Sequence, residues 1–346
     1  METLAAVLVE TGTPLELANL EIQPLLPGQV LVEIAFSGVC RNQLLECRGF
    51  RGHDPYLPHC LGHEGSGTVL EIGPHVTKVK PDNKVILSWI KGSGSDIAGT
   101  QPYKWGNRKI NAGGITTFQK YSVISENRLT LMPDQISFQD AAFIGCALPT
   151  GLGSVFNIAR PKPGQSIAVF GTGGVGLCAI AGASIAGCTP VIAVDIRENK
   201  LKIAQKMGAT HLINASEADP VEVIQTLCNG SLDFAIEASG QPEAMNNALR
   251  SVRAQGGAAV IIGNAKYGEH VQIDPKQLNM GKRLLGTWGG GSQPDRDYHR
   301  FAKLIKESKI NLTSLITQIY SLHQINIALN DLEAGKGGRP LINMDL

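Results

Sequence analysis

Two cysteines and a histidine, Cys40, His63 and Cys146, have the donor types of an open zinc site. Two thiolates and an imidazole fill three corners of a tetrahedron, and a fourth corner left for water or substrate makes such a zinc catalytic rather than structural. Cys40 closes GVC (38–40), His63 stands in GHEGSG (62–67) and Cys146 in GCALPTG (145–151). Glu64, next to His63, is a carboxylate that either supports the histidine or serves as an occasional ligand. With 7 cysteines and 8 histidines, many such triples arise by chance, and Cys146 alone would read as a buried helix cysteine. What singles out this triple is a nucleotide signature downstream, because zinc and a dinucleotide together imply hydride transfer.

That signature is GTGGVG (171–176), which follows the strand-like SIAVF (166–170) and opens a helix-like run, VGLCAIAGASIAG (175–187). Gly171 permits the tight turn, Gly173 lets a pyrophosphate approach the backbone, and Gly176 allows the helix to pack on its strand. Amides at the helix start, through Gly174 and Val175, then face the phosphates. The glycines alone are weak evidence. Asp195 strengthens them, ending the strand VIAVD (191–195) 19 residues after Gly176. A carboxylate there accepts hydrogen bonds from the adenosine ribose and repels a 2′-phosphate, so NAD is favoured over NADP. Arg197, two residues on, is the feature that would welcome that phosphate.

The elements that must position these groups change character along the chain. Short runs with β-branched residues, VLVEIAFSGV (30–39), GTVLEIG (67–73) and KVILSW (84–89), mark the first 150 residues as β-rich. From about 151 strands and helices alternate, as in a parallel sheet: ENKLKIAQKMG (198–208) and QPEAMNNALRSVR (241–253) are helices, and HLINA (211–215), DFAIEAS (233–239) and AAVIIG (258–263) are strands. From about 293 helix and short strand return, ending in LIN (341–343). Thus a domain over 1–150, completed by about 291–346, encloses a nucleotide domain over 151–290.

Composition bounds the partners. The net charge of +1 suggests neither nucleic acid nor an anionic membrane, and no apolar run approaches the roughly 20 residues that span a bilayer. METLAAVLVETG lacks a basic leader and reads as a first strand. An odd number of cysteines in mostly apolar surroundings points to a reducing, cytoplasmic setting.

Taken together, GVCRNQ (38–43), GHEGSG, GCALPTG, GTGGVG and VDIRENK (194–200) resemble the zinc-dependent alcohol dehydrogenases of the medium-chain dehydrogenase/reductase superfamily, over essentially the whole chain. The resemblance implies an α/β protein with a GroES-like catalytic domain and an inserted Rossmann domain, one catalytic Zn²⁺ and NAD. It implies oxidation of an alcohol to an aldehyde or ketone, and a homodimer or homotetramer. By it, Cys40, His63 and Cys146 hold the zinc with Glu64 beside it, Arg41 and Arg339 contact the pyrophosphate, Thr150 lies near the nicotinamide, and Asp195 and Lys200 contact the ribose.

Three departures stand out. The four cysteines of the family's structural zinc are missing from 84–120, so that second metal is expected to be absent. The usual proton-relaying Ser or Thr is Asn42. The usual Asp that orients the zinc-bound histidine is Gln43, whose oxygen could still accept the imidazole N–H. The substrate is left open among simple alcohols and polyol or sugar-like secondary alcohols. A zinc-free quinone or enoyl reductase and a non-catalytic NAD-binding protein are the alternatives. His59 and Cys60 read as packing or cleft-wall residues, His53 and Tyr56 as an exposed polar loop, and TWGGGSQPDRDY (287–298) as either a cofactor-side loop or a plain connection.

Overall fold

A computed structural model describes residues 1–97, 100–307, 309–310 and 312–346. The chain forms two compact units. One comprises Met1–Cys146, Gln293–Glu307 and Ile316–Leu346, and the other is built on Ala147–Ser292.

The first unit is organised on the strand Gln29–Gly38. Its period-two pattern sends Val30, Val32 and Ile34 into one apolar cluster with Val69, Val85, Leu87 and Ile124, while Leu31 on the opposite face joins Val7, Leu20 and Tyr103. Full burial of such side chains contributes about 1.5–3 kcal/mol each. Glu64–Ile72 and Tyr121–Ser125 pair antiparallel with this strand, and Lys84–Ser88 continues the sheet beyond Glu64–Ile72. The C-terminal Arg339–Asn343 pairs with the end of the central strand, with Leu341 opposite Gly38 and Ile342 opposite Ser37, and Ile316–Ser321 lies beyond it. Leu322, Ile325 and Ile342 bring this last stretch into a core with Val39, Leu44 and Leu61, on either side of the candidate ligands Cys40 and His63.

Among the described residues, the second unit has a six-stranded parallel sheet. Ile167–Phe170 lies between Val191–Asp195 and Phe234–Glu237, which is the reversal of strand order where doubly wound sheets bind ligands. The helix Gly174–Ile185 is apolar on nearly every side, with Leu177, Cys178, Ala179 and Ile180 fully buried. Small residues let Ala147–Gly153 lie close against it: a Cβ on Gly151 would meet the Val175 carbonyl oxygen at 2.4 Å. The chain is thus an α/β protein with a β-rich unit and a Rossmann sheet. Among the described residues no helix is long and apolar enough to cross a membrane, and no disulfide joins the cysteines.

Candidate functional site

Cys40 ends the central strand's exit. Val39 is fully buried, and Cys40 becomes the N-cap of the helix Arg41–Cys47 with extended φ/ψ of −102° and 148°. His63 precedes the strand Glu64–Ile72, and Cys146 follows the helix Phe138–Phe143. One ligand atom from each of Cys40, His63 and Cys146 lies within 4.8 Å of the others, although 83 positions separate His63 from Cys146. His63 Nε2 approaches Cys146 Sγ to 3.3 Å. Both cysteines are buried and His63 is half-buried.

The electrostatics fit a divalent cation. A hydrogen bond from the Cys146 thiol outweighs burial and holds Cys40 well below the usual thiol range, helped by Arg339 and His63. Cys146 is pushed well above it by the same hydrogen bond, by burial and by the Cys40 charge. Burial lowers His63, but the neighbouring Cys40 and Glu64 more than reverse this and its pKa rises. The pocket therefore retains protons that a metal would displace. Glu64 is fully buried; its Oε1 accepts from Arg339 Nε at 3.0 Å and from Arg339 Nη2, while Oε2 has no partner. Burial holds this carboxyl above its usual range, opposed by Arg339. An unpaired buried carboxylate oxygen beside a thiolate–imidazole set suits a nearby cation.

Gln43 is placed differently from the expectation. Its Oε1 accepts from the Cys40 backbone N–H at 2.9 Å, closing a capping box, so this oxygen is not given to the His63 ring. Tyr298 and Ser88 hold the other end of the site: their hydroxyls are 2.5 Å apart, and Ser88 donates to the Gly145 carbonyl at 2.6 Å, immediately before Cys146. Asn42 is half-buried and Arg41 exposed, both in the first turn after Cys40.

His63 also lines a cleft of about 440 Å³, together with Gln43, Glu46, Tyr56, His59, Cys60 and Asn111. His59 and Cys60 are thus wall residues. Sequence spacing did not disclose that Glu46, Asp54 and His59 converge, with His59 Nε2 2.9 Å from Asp54 Oδ2 and 3.9 Å from Glu46 Oε1. His53 is exposed and Tyr56 is 64% exposed.

In the second unit, Gly171 takes φ +89°, a region open to glycine, and a Cβ there would meet Ser239 N at 2.7 Å. On Gly176 a Cβ would strike the Gly171 carbonyl, whereas above Gly173 there is open space within 4 Å. The helix beginning at Gly174 has no side-chain cap, so the amides around Gly174 and Val175 present their partial positive charge at a cradle fit for phosphate. Asp195 Oδ2 accepts from Thr172 N at 2.8 Å and Thr172 Oγ1 at 2.9 Å, and Oδ1 accepts from Arg197 N at 3.1 Å. These bonds fix a carboxylate whose remaining lone pairs can meet ribose hydroxyls. Lys200 lies half-buried in the helix Glu198–Lys206. Thr150 is buried with Oγ1 unpaired. The Gly289–Gly291 turn leans on the helix Ala147–Gly153 that carries Thr150, with Ser292 Oγ donating to the Pro149 carbonyl at 2.8 Å. Thr172 and Glu237 were not legible as site residues. Glu237 Oε1 accepts from Ser239 N, Ser239 Oγ and Gly240 N and so shapes the loop that abuts Gly171.

The chain is similar to known proteins over almost its full length. Residues 26–134 match the alcohol dehydrogenase GroES-like domain, and residues 174–307 match the zinc-binding dehydrogenase family. Alcohol dehydrogenase class-3 of Cereibacter sphaeroides is 32% identical, with 99% of this chain and 100% of the relative covered. S-(hydroxymethyl)glutathione dehydrogenase of Synechocystis sp. is 31% identical, at 99% and 100% coverage. Among solved structures, benzyl alcohol dehydrogenase from Acinetobacter calcoaceticus superposes with a TM-score of 0.90 at 28% identity, covering 99% of both chains. A zinc-binding domain protein of the alcohol dehydrogenase type from Burkholderia ambifaria gives 0.91 at 27%, also over 99% of both. With both domain types present and such likeness over almost its full length, the chain belongs to the zinc-dependent alcohol dehydrogenase family.

Proposed function

We propose that Cys40, His63 and Cys146 hold the single catalytic zinc of an NAD-dependent alcohol dehydrogenase, with Glu64 beside it. The observation that carries this is their convergence within 4.8 Å from three separate segments. Bound zinc supplies a Lewis acid that lowers the pKa of an alcohol hydroxyl, and bound NAD supplies the acceptor for a hydride. The rest is the work of the chain's own residues. Cys40 and Cys146 contribute negative charge that balances the metal, and Gln43 fixes the turn on which Cys40 sits. Glu64, steadied by Arg339, keeps one carboxylate oxygen available. Asn42 can orient a hydroxyl but its amide does not titrate, so the alcohol proton must leave by water, a cofactor hydroxyl or another side chain.

NAD belongs on Gly171, Gly173, Gly174, Val175 and Gly176, with Asp195 and Lys200 on the adenosine ribose. Thr150 belongs beside the nicotinamide, and Arg41 and Arg339 carry positive charge for the pyrophosphate. A reducing cytoplasm keeps Cys40 and Cys146 as metal ligands rather than as a disulfide. The strand Arg283–Gly286 ends the parallel sheet, with Leu284 at 37% and Trp288 at 80% exposure, and we assign it to a homodimer contact.

The decisive test is metal analysis and NAD reduction with Cys40→Ala and Cys146→Ala. Both variants should lose bound zinc and alcohol turnover together. Undiminished turnover in a zinc-free variant would sink the assignment.

A further inference from the structure

Gln43 is only 1% exposed, and its Oε1 is committed to the Cys40 N–H, yet its Nε2 is buried with no hydrogen-bond partner. Buried donors are almost always paired, and one that is not marks a place where a ligand or water completes the bond. This side chain does not sit in a sealed core. It lines the cleft that also receives His63, Glu46 and His59.

The cleft's other polar groups are largely committed to each other. His59 Nδ1 faces the Cys60 carbonyl at 3.0 Å and its Nε2 faces Asp54 at 2.9 Å. Asn111 Nδ2 donates to the Tyr56 carbonyl at 2.6 Å. Glu46 is the exception. Among the described residues nothing donates a hydrogen bond to its carboxylate, and His59 Nε2 stands 3.9 Å from Oε1. The wall next to His63 therefore offers a buried donor with no partner, Gln43 Nε2, and an acceptor that receives no hydrogen bond, the Glu46 carboxylate.

Pairing rules select what fits. A ketone or ether oxygen would accept from Gln43 and leave Glu46 unanswered. An ammonium would answer Glu46 and leave Gln43 unpaired. A carboxylate would be repelled by Glu46 and Asp54. A hydroxyl accepts and donates at once. The same Gln43 amide caps the turn that carries Cys40, which sets this hydroxyl next to the candidate metal site. We propose that Gln43 and Glu46 form a subsite for a second hydroxyl, so that the preferred substrate is a neutral vicinal diol or polyol. This rests on the alcohol dehydrogenase reading and narrows its substrate class.

Propane-1,2-diol and propan-2-ol share a carbon skeleton and differ by the one hydroxyl. Their dissociation constants are measured by calorimetry on the zinc- and NADH-loaded enzyme, which cannot oxidise them, and their kcat/KM values by NADH formation from NAD. The wild-type protein should favour the diol by about tenfold or more in both readouts, as one well-made hydrogen-bonding subsite allows. Glu46→Leu should bring the two dissociation constants within about threefold, and Glu46→Gln, which retains an acceptor oxygen, should keep part of the preference. Gln43→Glu, which can still cap Cys40 but has no donor, should also lower the diol-to-monoalcohol ratio. Equal binding of the two compounds by the wild type, or a diol preference that Glu46→Leu leaves intact, overturns the subsite. Oxidation of both alcohols without discrimination removes the subsite and keeps the dehydrogenase. Diol-selective binding through Glu46 with no oxidation of either keeps the subsite and removes the dehydrogenase.

Discussion

Arg339 closes a fork on Glu64 across 275 positions of sequence, with Nε 3.0 Å from Oε1 and both side chains at most 4% exposed. The pair joins the C-terminal strand to the residue beside His63. Glu64 also fills the space over Gly38, where a Cβ would meet its Oε1 at 2.3 Å. Its carboxylate is thus held from two sides.

Removing the cation alone should be far worse than removing both partners. Arg339→Met leaves an uncompensated buried carboxyl and should cost about 3–5 kcal/mol, while the double variant with Glu64→Gln should recover much of it. Urea unfolding of the metal-free forms measures this. A small loss in the single variant would show that Arg339 does not balance Glu64.

Asp195 should set the choice of dinucleotide. Its carboxylate is oriented by Thr172 N and Oγ1, so Asp195→Ala removes both the ribose acceptor and the charge that repels a 2′-phosphate. The NAD-to-NADP ratio of kcat/KM should fall on the order of 100-fold. Thr172→Val leaves the charge but loosens its orientation and should move the ratio less. An unchanged ratio in Asp195→Ala would remove Asp195 from the ribose site.

The features legible in the sequence are those whose chemistry is written locally. A β-branched strand ending in Asp195, a glycine turn before an apolar helix, and thiol and imidazole donors in glycine-rich motifs each show their donor types or backbone shape within a few positions. Gln43 was harder because the capping-box pattern normally starts with Ser or Thr, and here a cysteine stands at the N-cap. Arg339 with Glu64, and Glu46 with Asp54 and His59, were illegible as partners. Tertiary pairing joins them, and no periodicity encodes it. The same holds for Glu237, an acidic side chain that strand patterning would place in a core and whose hydrogen bonds appear only once Ser239 and Gly240 turn back on it.

Acid should destabilise the first unit partly through Glu126. This buried carboxylate accepts from Thr77 N at 2.6 Å, Lys78 N at 2.8 Å and Ser95 N at 2.9 Å. Burial works to raise its pKa, but these backbone donors prevail and hold it below the usual range. With the folded value depressed, its stabilisation is complete above the unfolded value, about 4.3, and is lost as pH falls through the folded one. Glu126→Gln should cost about 1.5–3 kcal/mol at pH 7, and the gap from wild type should begin to narrow as pH falls below about 4.3. Denaturation midpoints across pH 3–7 test this; a gap that stays constant would rule out ionisation as the cause.

The parallel sheet's last strand should be the dimer contact. Arg283–Gly286 pairs with Ala258–Ile261 on one side, and among the described residues no strand pairs with it on the other. An unpaired edge with exposed Leu284, close to exposed Trp288, is a template for a second copy, and neither charge nor proline blocks pairing at Leu284 and Leu285. Leu284→Glu places like charges opposite each other in a two-fold contact, where every side chain faces a symmetry-related region. The variant should therefore elute and scatter light as a monomer, and its melting temperature should lose its dependence on protein concentration. A variant that keeps the wild-type mass would move the contact elsewhere on the surface, because a strand-edge dimer cannot bury two facing glutamates unpaired.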